Sequence, residues 1–289
     1  MFQEIYSPVQ KIEIDLLDNL FVKRDDLIDP YISGNKWRKL KLILEKAKLE
    51  NKKHLVTFGG AYSNHLVATA AAAARFHLKS TAFVRGEQVK NEMLLLCSLF
   101  GMELIFVDRD SYKNKPQLFE DHFGNDRNVY FIDEGGASKE AVDGCTEIIN
   151  ELSETYDHIF VAAGTGTTAA GLLKAIQAKN LPTKLHVIPV LKGGDFIKTE
   201  IAKYTSITEH LILHTEFHFG GYAKTTPELI QFIKTFTAKT GLLLDPVYTA
   251  KMFFAIFDLQ HKNKISFTDK ILAIHTGGLL GLLGMKDKF

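Results

Sequence analysis

Apolar and polar positions in this chain keep switching between a helical and a strand-like period. From Gly34 to about Leu49 the apolar residues Trp37, Leu40, Leu42, Ile43, Leu44 and Ala47 recur at helical spacing, and residues 54–58 (His-Leu-Val-Thr-Phe) then form a short run suited to a buried strand. Gly59-Gly60 closes that strand, and Ser63 or Asn64 supplies an N-cap for a helix through Leu66, Ala70 and Ala74. The same reading predicts strands at 80–84, 103–107, 129–132, 158–162, 185–190, 211–217 and 271–275. Helices are predicted at 92–100, 138–155, 169–178, 227–240 and 249–259, with a short terminal helix after Gly277-Gly278. Residues 108–126 are polar and read as irregular surface. Such alternation predicts an α/β fold with largely parallel sheets flanked by helices. No repeat and no Pro/Ser-rich linker marks a border, so the grouping of strands sets the expected lobes: 40–140 as the smaller, 1–39 with 141–289 as the larger.

Bulk properties narrow the partners. A chain of 289 residues is long enough to split into two lobes around one site. Its 35 Lys+Arg against 34 Asp+Glu give a formal charge of +1, which offers no basic field for nucleic acid or an anionic membrane; the expected partner is a small molecule. The content of 46% hydrophobic and 24% charged residues excludes a mainly disordered chain. Cys97 and Cys145 lie far apart in periodic apolar segments, where buried thiols and a reducing, cytoplasmic home are the expectation. The start Met1-Phe2-Gln3-Glu4-Ile5 lacks a secretory pattern and reads as a mature terminus. The apolar stretch 66–74 is mostly alanine and falls well short of the ~20 residues of a spanning helix.

Three segments carry candidate chemistry. Lys36 stands in Ser33-Gly34-Asn35-Lys36-Trp37-Arg38-Lys39-Leu40, beside small and amide residues; with Arg38, Lys39 and Lys41 it also fits a solvated basic helix face. Gly59-Gly60-Ala61-Tyr62-Ser63-Asn64-His65 opens an alanine-rich helix, where Ser63 fits a plain cap and His65 a packed imidazole, and where no Gly-x-Ser-x-Gly elbow is present. Gly164-Thr165-Gly166-Thr167-Thr168 opens another helix. It matches a dinucleotide loop weakly, since Ala169 occupies the third glycine position and no acidic ribose ligand stands about twenty residues on. Hydroxyls and free backbone amides at a helix start suit a single phosphate dianion better. Together these segments suit pyridoxal 5'-phosphate, with an amine to hold the aldehyde and a cradle for the phosphate. The histidines show no metal-ligand spacing, and no catalytic metal is expected.

The ordered set Lys23-Arg24-Asp25-Asp26-Leu27, Gly34-Asn35-Lys36-Trp37-Arg38-Lys39-Leu40, Ser63-Asn64-His65, the Gly/Thr loop, Gly221-Tyr222, Leu244-Asp245-Pro246-Val247-Tyr248-Thr249-Ala250-Lys251 and His275-Thr276-Gly277-Gly278 closely resembles the 1-aminocyclopropane-1-carboxylate deaminase and D-cysteine desulfhydrase family over nearly the whole chain. The resemblance implies the two-lobe tryptophan synthase β-like fold (fold type II) and a homodimer. It also implies that Lys36 is the Schiff-base lysine, that Asn64 meets the ring hydroxyl, that Gly164, Thr165, Gly166, Thr167 and Thr168 hold the phosphate, and that Thr276 faces the ring nitrogen. Ser63, with Asn64 and His65, meets the substrate carboxylate or relays a proton, and Tyr222 and Tyr248 match the family's active-site tyrosines. Gly135-Gly136-Ala137-Ser138 fits a shared glycine-rich turn. Thr249 and Thr276 stand where ring-opening deaminases carry glutamate and leucine, which favours β-elimination from D-cysteine over ring opening. Tyr62 replaces the usual glutamine, Ala61 and Leu66-Val67 also depart from the pattern, and a shorter chain implies a trimmed smaller lobe with an open mouth. A cofactor-binding protein without turnover is the reading from another class.

Overall fold

The computed structural model describes residues 5–14 and 17–289; residues 1–4, part of the segment read for targeting, and 15–16 lie outside it. Ten strands form two sheets among the described residues. The six-stranded sheet joins β1 (Val9–Ile12), β2 (Leu20–Lys23), β7 (His158–Ala163), β8 (Lys184–Pro189), β9 (Leu211–Leu213) and β10 (Ile271–Ile274) in the order β1-β2-β10-β7-β8-β9. The four-stranded sheet runs β5 (Glu103–Val107), β4 (Lys79–Arg85), β3 (His54–Gly60), β6 (Val129–Ile132). Every described pairing is parallel except β1 with β2 at an edge. Parallel sheets need cover on both faces, and the buried runs of β7, β8 and β10 are largely apolar for that reason, with His158 and His186 as buried exceptions.

Helices α1 (Asn35–Leu49), α2 (Asn64–Arg75), α3 (Glu92–Leu99), α7 (Thr167–Ala178), α9 (Pro227–Thr240) and α10 (Thr249–His261) fall where periodicity placed them. The bounds of α9 follow from local chemistry. Thr226 caps its start by accepting from the Leu229 amide, Pro227 occupies the first turn, and Gly241 takes φ +69° just past its end. Cys97 and Cys145 are free thiols in the core, as expected.

Four expectations are corrected. Residues 108–126 are not irregular: they hold a 3-10 turn and α4 (Lys115–Phe123), whose Leu118, Phe119 and Phe123 pack against Phe58 and Phe83. The helix read at 138–155 is two short ones, α5 (Lys139–Cys145) and α6 (Glu147–Asn150). At their junction the Thr146 hydroxyl and amide both donate to the Asp143 carbonyl and tighten the turn. β9 ends at Leu213 rather than 217, and the terminal helix is a 3-10 segment, Leu279–Lys288. β1, β2 and α8 (Phe196–Ala202) had no counterpart in the periodicity.

Candidate active site

The carboxyl ends of β3, β4, β5, β7, β8 and β10 face one cavity of about 1360 Å³, where open parallel sheets place ligand sites. Its wall includes Lys36, Ser63, Asn64, His65, Gly164, Thr165, Gly166, Thr167, Thr168, Tyr222, Tyr248 and Thr276, so every residue singled out for the site lies in this one space.

Lys36 occupies the first turn of α1, and the start of that helix is fixed by contact with a distant segment. Gly34 has φ +57°, and a Cβ there would stand 2.0 Å from the Thr276 carbonyl oxygen. Gly277, at φ +76°, presses in the same way on the Ser33 hydroxyl, 2.2 Å from an added Cβ. The Asn35 amide donates to the Thr276 carbonyl at 3.2 Å. Only glycine permits this approach of two backbones. His275 holds the second segment in place: its ring meets the Leu243 carbonyl at 2.8 Å and accepts from the Gly277 amide at 3.3 Å.

The Lys36 amine donates to Asn35 Oδ1 at 2.8 Å, and Asn35 Nδ2 donates to Thr168 Oγ1 at 3.0 Å, linking the lysine to the Gly/Thr loop. Burial, helped by the nearby Lys39 charge, lowers the Lys36 pKa to about 7 against the opposing pull of Cys145 and Asp245. A free-base amine near neutrality is what carbonyl capture requires. Lys39 is itself buried, with its pKa lowered mainly for that reason, and donates to the Gly135 carbonyl at 2.9 Å.

The Gly/Thr loop joins β7 to α7. Gly166 has φ +77° as the residue preceding the helix, and Thr165 and Thr167 bring their hydroxyl oxygens within 3.0 Å of each other. Unpaired amides of the first helical turn and these hydroxyls form an anion cradle. Space is kept open around it, since a Cβ on Gly164 would stand 3.3 Å from the Tyr248 ring and one on Gly135 would stand 3.1 Å from Thr165. A neutral amine at one end and an anion cradle in the same cavity match an aldehyde carrying a phosphate.

Ser63 precedes α2 but its hydroxyl makes no cap bond, leaving it free to face the cavity rather than serve the helix. Asn64 Nδ2 reaches the Gly278 carbonyl at 3.4 Å. His65 is buried and held neutral, its pKa driven well down by burial and by Lys36 and Lys39. Thr57 Oγ1 donates to the Ile132 carbonyl and so accepts from His65 Nε2 at 2.8 Å, which leaves the buried Nδ1 as an unpaired acceptor. The Tyr222 and Tyr248 rings meet edge to face at 6.2 Å, and burial raises the pKa of both hydroxyls, well above the ordinary value for Tyr248. Thr249, in contrast, is shut away from the cavity. It is fully buried, donates to Asp245 Oδ2 at 2.9 Å, and accepts from the Asp245 amide at the same distance. Asp245 in turn accepts from the amides of Val247, Tyr248 and Thr249, capping α10 and aiming Tyr248.

Sequence reasoning missed Lys39 and Asp245, and read Asn35 only as an amide beside the amine, without its bond to Thr168. An acid four residues before a threonine at a helix start was the available signal for Asp245; the link from Asn35 to Thr168 spans 133 positions and had none. Tyr62, the departure from the family pattern, lies against the terminal 3-10 segment, where a Cβ on Gly284 would come within 2.6 Å of its ring.

The fold is that of the fold type II pyridoxal phosphate enzymes, and this cavity is its candidate site. The chain belongs to the pyridoxal-phosphate-dependent enzyme family, whose model matches residues 4–277. It is 31% identical over 302 residues to a Pyrococcus horikoshii protein provisionally named 1-aminocyclopropane-1-carboxylate deaminase, covering 98% of this chain and 92% of that one. It is 28% identical over 314 residues to the mitochondrial bifunctional D-cysteine desulfhydrase/1-aminocyclopropane-1-carboxylate deaminase of Arabidopsis thaliana, covering 98% and 78%. Among solved structures, an ACC deaminase homologue superposes with a TM-score of 0.85 at 30% identity, covering 98% of this chain and 92% of that one.

Proposed function

We propose that this enzyme catalyses β-elimination from D-cysteine or a close analogue, giving pyruvate, ammonia and sulfide. One observation carries the choice within the family: at the position where ring-opening deaminases place a glutamate, Thr249 is buried and spent on Asp245, so its side chain offers the cavity no carboxylate. An environment of neutral hydroxyls weakens ring protonation and suits a substrate with a good leaving group.

When bound, pyridoxal phosphate supplies an electron sink for the substrate α-carbon. In this reading the Lys36 amine would hold the cofactor aldehyde and, as a free base, would accept the substrate α-proton. Gly164, Thr165, Gly166, Thr167 and Thr168 bind the phosphate, Asn64 the ring hydroxyl and Thr276 the ring nitrogen. Ser63, with Asn64 and His65, orients the substrate carboxylate at the start of α2, where the helix dipole favours an anion. Tyr248, kept protonated by burial, and Tyr222 beside it donate to the departing sulfur, which leaves with the electron pair of the broken carbon–sulfur bond. The aminoacrylate set free hydrolyses to pyruvate and ammonia. We further read 40–140 as the smaller lobe and the flanking segments as the larger; the four-stranded sheet, spanning residues 54–132, supports that division.

The names of some relatives support a second reading, deamination of 1-aminocyclopropane-1-carboxylate to 2-oxobutanoate and ammonia. Purified holoenzyme assayed with D-cysteine, L-cysteine, D-serine, β-chloro-D-alanine and aminocyclopropane carboxylate separates the two. Pyruvate with sulfide from D-cysteine is the expected result, 2-oxobutanoate as the main product overturns it, and bound cofactor with no product from any of them favours binding without turnover.

A further inference from the structure

The loop that carries Tyr222 does not hold its own shape. Phe219, Gly220, Gly221 and Ala223 all have positive φ, at +51°, +91°, +118° and +54°, and two of these residues are not glycine. Non-glycine residues in this region are strained and persist only where their surroundings fix them. Here the fixing group is visible. The carbonyls of His218 and Gly221 converge with that of Val190, just past the end of β8, on the amine of Lys251 at 2.8, 2.8 and 3.2 Å.

Lys251 is fully buried on α10, three residues after Tyr248. Two of the residues it grips adjoin the cavity wall, Gly221 before Tyr222 and Val190 before Leu191, and Tyr248 lies one turn away at the start of its own helix. An ammonium has three N–H donors, and these three carbonyls use all of them. A carbonyl acceptor without a donor in this buried place is costly, so the amine and the loop conformation sustain each other.

We propose that Lys251 is a positioning residue: its ammonium clamps the strained 218–223 loop to β8 and α10 and thereby sets Tyr222 opposite Tyr248. It touches no reacting atom. The inference rests on the reading of Tyr222 as a site residue and adds what holds that tyrosine in place.

The test uses full-length holoenzyme carrying Lys251→Met, Tyr222→Phe or both, assayed on whichever substrate of the panel is turned over. Lys251→Met is expected to retain the cofactor absorbance and KM while kcat falls about 10–100-fold, the scale of a misplaced site group. Amide exchange in 218–223 should rise while that of 54–60 stays unchanged. The double variant should be no slower than the slower single one, because both changes disable the same group. Additive losses, or unchanged exchange in 218–223, overturn the proposal. A silent Tyr222→Phe with raised exchange in Lys251→Met instead removes the tyrosine from the reaction and leaves the clamp standing. If Lys251→Met does not fold, Lys251→Ala is measured with and without ammonium chloride. Recovery of kcat by the added ion supports the three-carbonyl clamp, and no recovery overturns it.

Discussion

Arg38 and Lys36 lie two residues apart on α1, both withdrawn from bulk water, and the protein treats their charges in opposite ways. Arg38 is fully buried in a knot of carboxylates: it grips Asp25 through Nε at 3.1 Å and Nη2 at 2.8 Å, and it reaches Glu151 through both terminal nitrogens, with Lys23 joining Glu151 at 2.8 Å. Burial opposes its charge, but the hydrogen bonds and charges of Glu151 and Asp25 outweigh that and raise its pKa. Lys36 has an amide oxygen, another lysine nearby, and no carboxylate within ion-pair distance among the described residues, and its pKa drops to about 7. The partner set, more than depth, separates a cation held charged from an amine poised to lose its proton. A solvated basic face, the bland expectation for this run, does not describe it: Arg38 and Lys39 are buried and Lys41 pairs with Glu147.

Substitution on each side sharpens the contrast. Lys36→Ala should cut turnover on the order of 10³-fold or more and abolish the cofactor's lysine-bound absorbance, with the melting transition of the cofactor-free protein little changed. Retained turnover would remove the lysine from its role. Arg38→Met should do the reverse, costing about 3–5 kcal/mol in denaturant unfolding because Asp25 is left buried without its cation, while activity per folded molecule persists. Gly34→Ala joins the two effects: the backbone conformation alone costs about 1–3 kcal/mol, and the displaced Thr276 segment should weaken cofactor retention, read by dialysis and absorbance. The smallest effect concerns pH. In the cofactor-free protein Lys36 is neutral above about 7, whereas the unfolded chain keeps that proton up to 10.5. Stability should therefore rise with pH across that window, only modestly because water enters the cavity. Lys36→Met should reduce the slope, and an identical slope in both proteins would contradict the depressed pKa.

How far each region was legible follows from the same difference. Motif order and spacing led to Lys36, the Ser63–His65 turn and the Gly/Thr loop because each is written in a few adjacent residues. The Arg38 knot was not legible: Glu151 lies 113 positions from Arg38, and nothing local distinguishes it from a surface acid. α4 was hidden because its run of charges masked the helical spacing of Leu118, Phe119 and Phe123, although Asn114 and Pro116 marked its start. β1 escaped because it is an edge strand with one buried position and shows no apolar run.

The place of β10 sets a schedule for biosynthesis. This strand, at Ile271–Ile274, sits between β2 and β7 inside the six-stranded sheet, and the segment just after it meets Gly34. A nascent chain still short of that point lacks both an inner strand and one wall of the lysine's chamber. A chain cut short before residue 271 is therefore expected to keep an open seam between β2 and β7 and to retain the vitamin poorly.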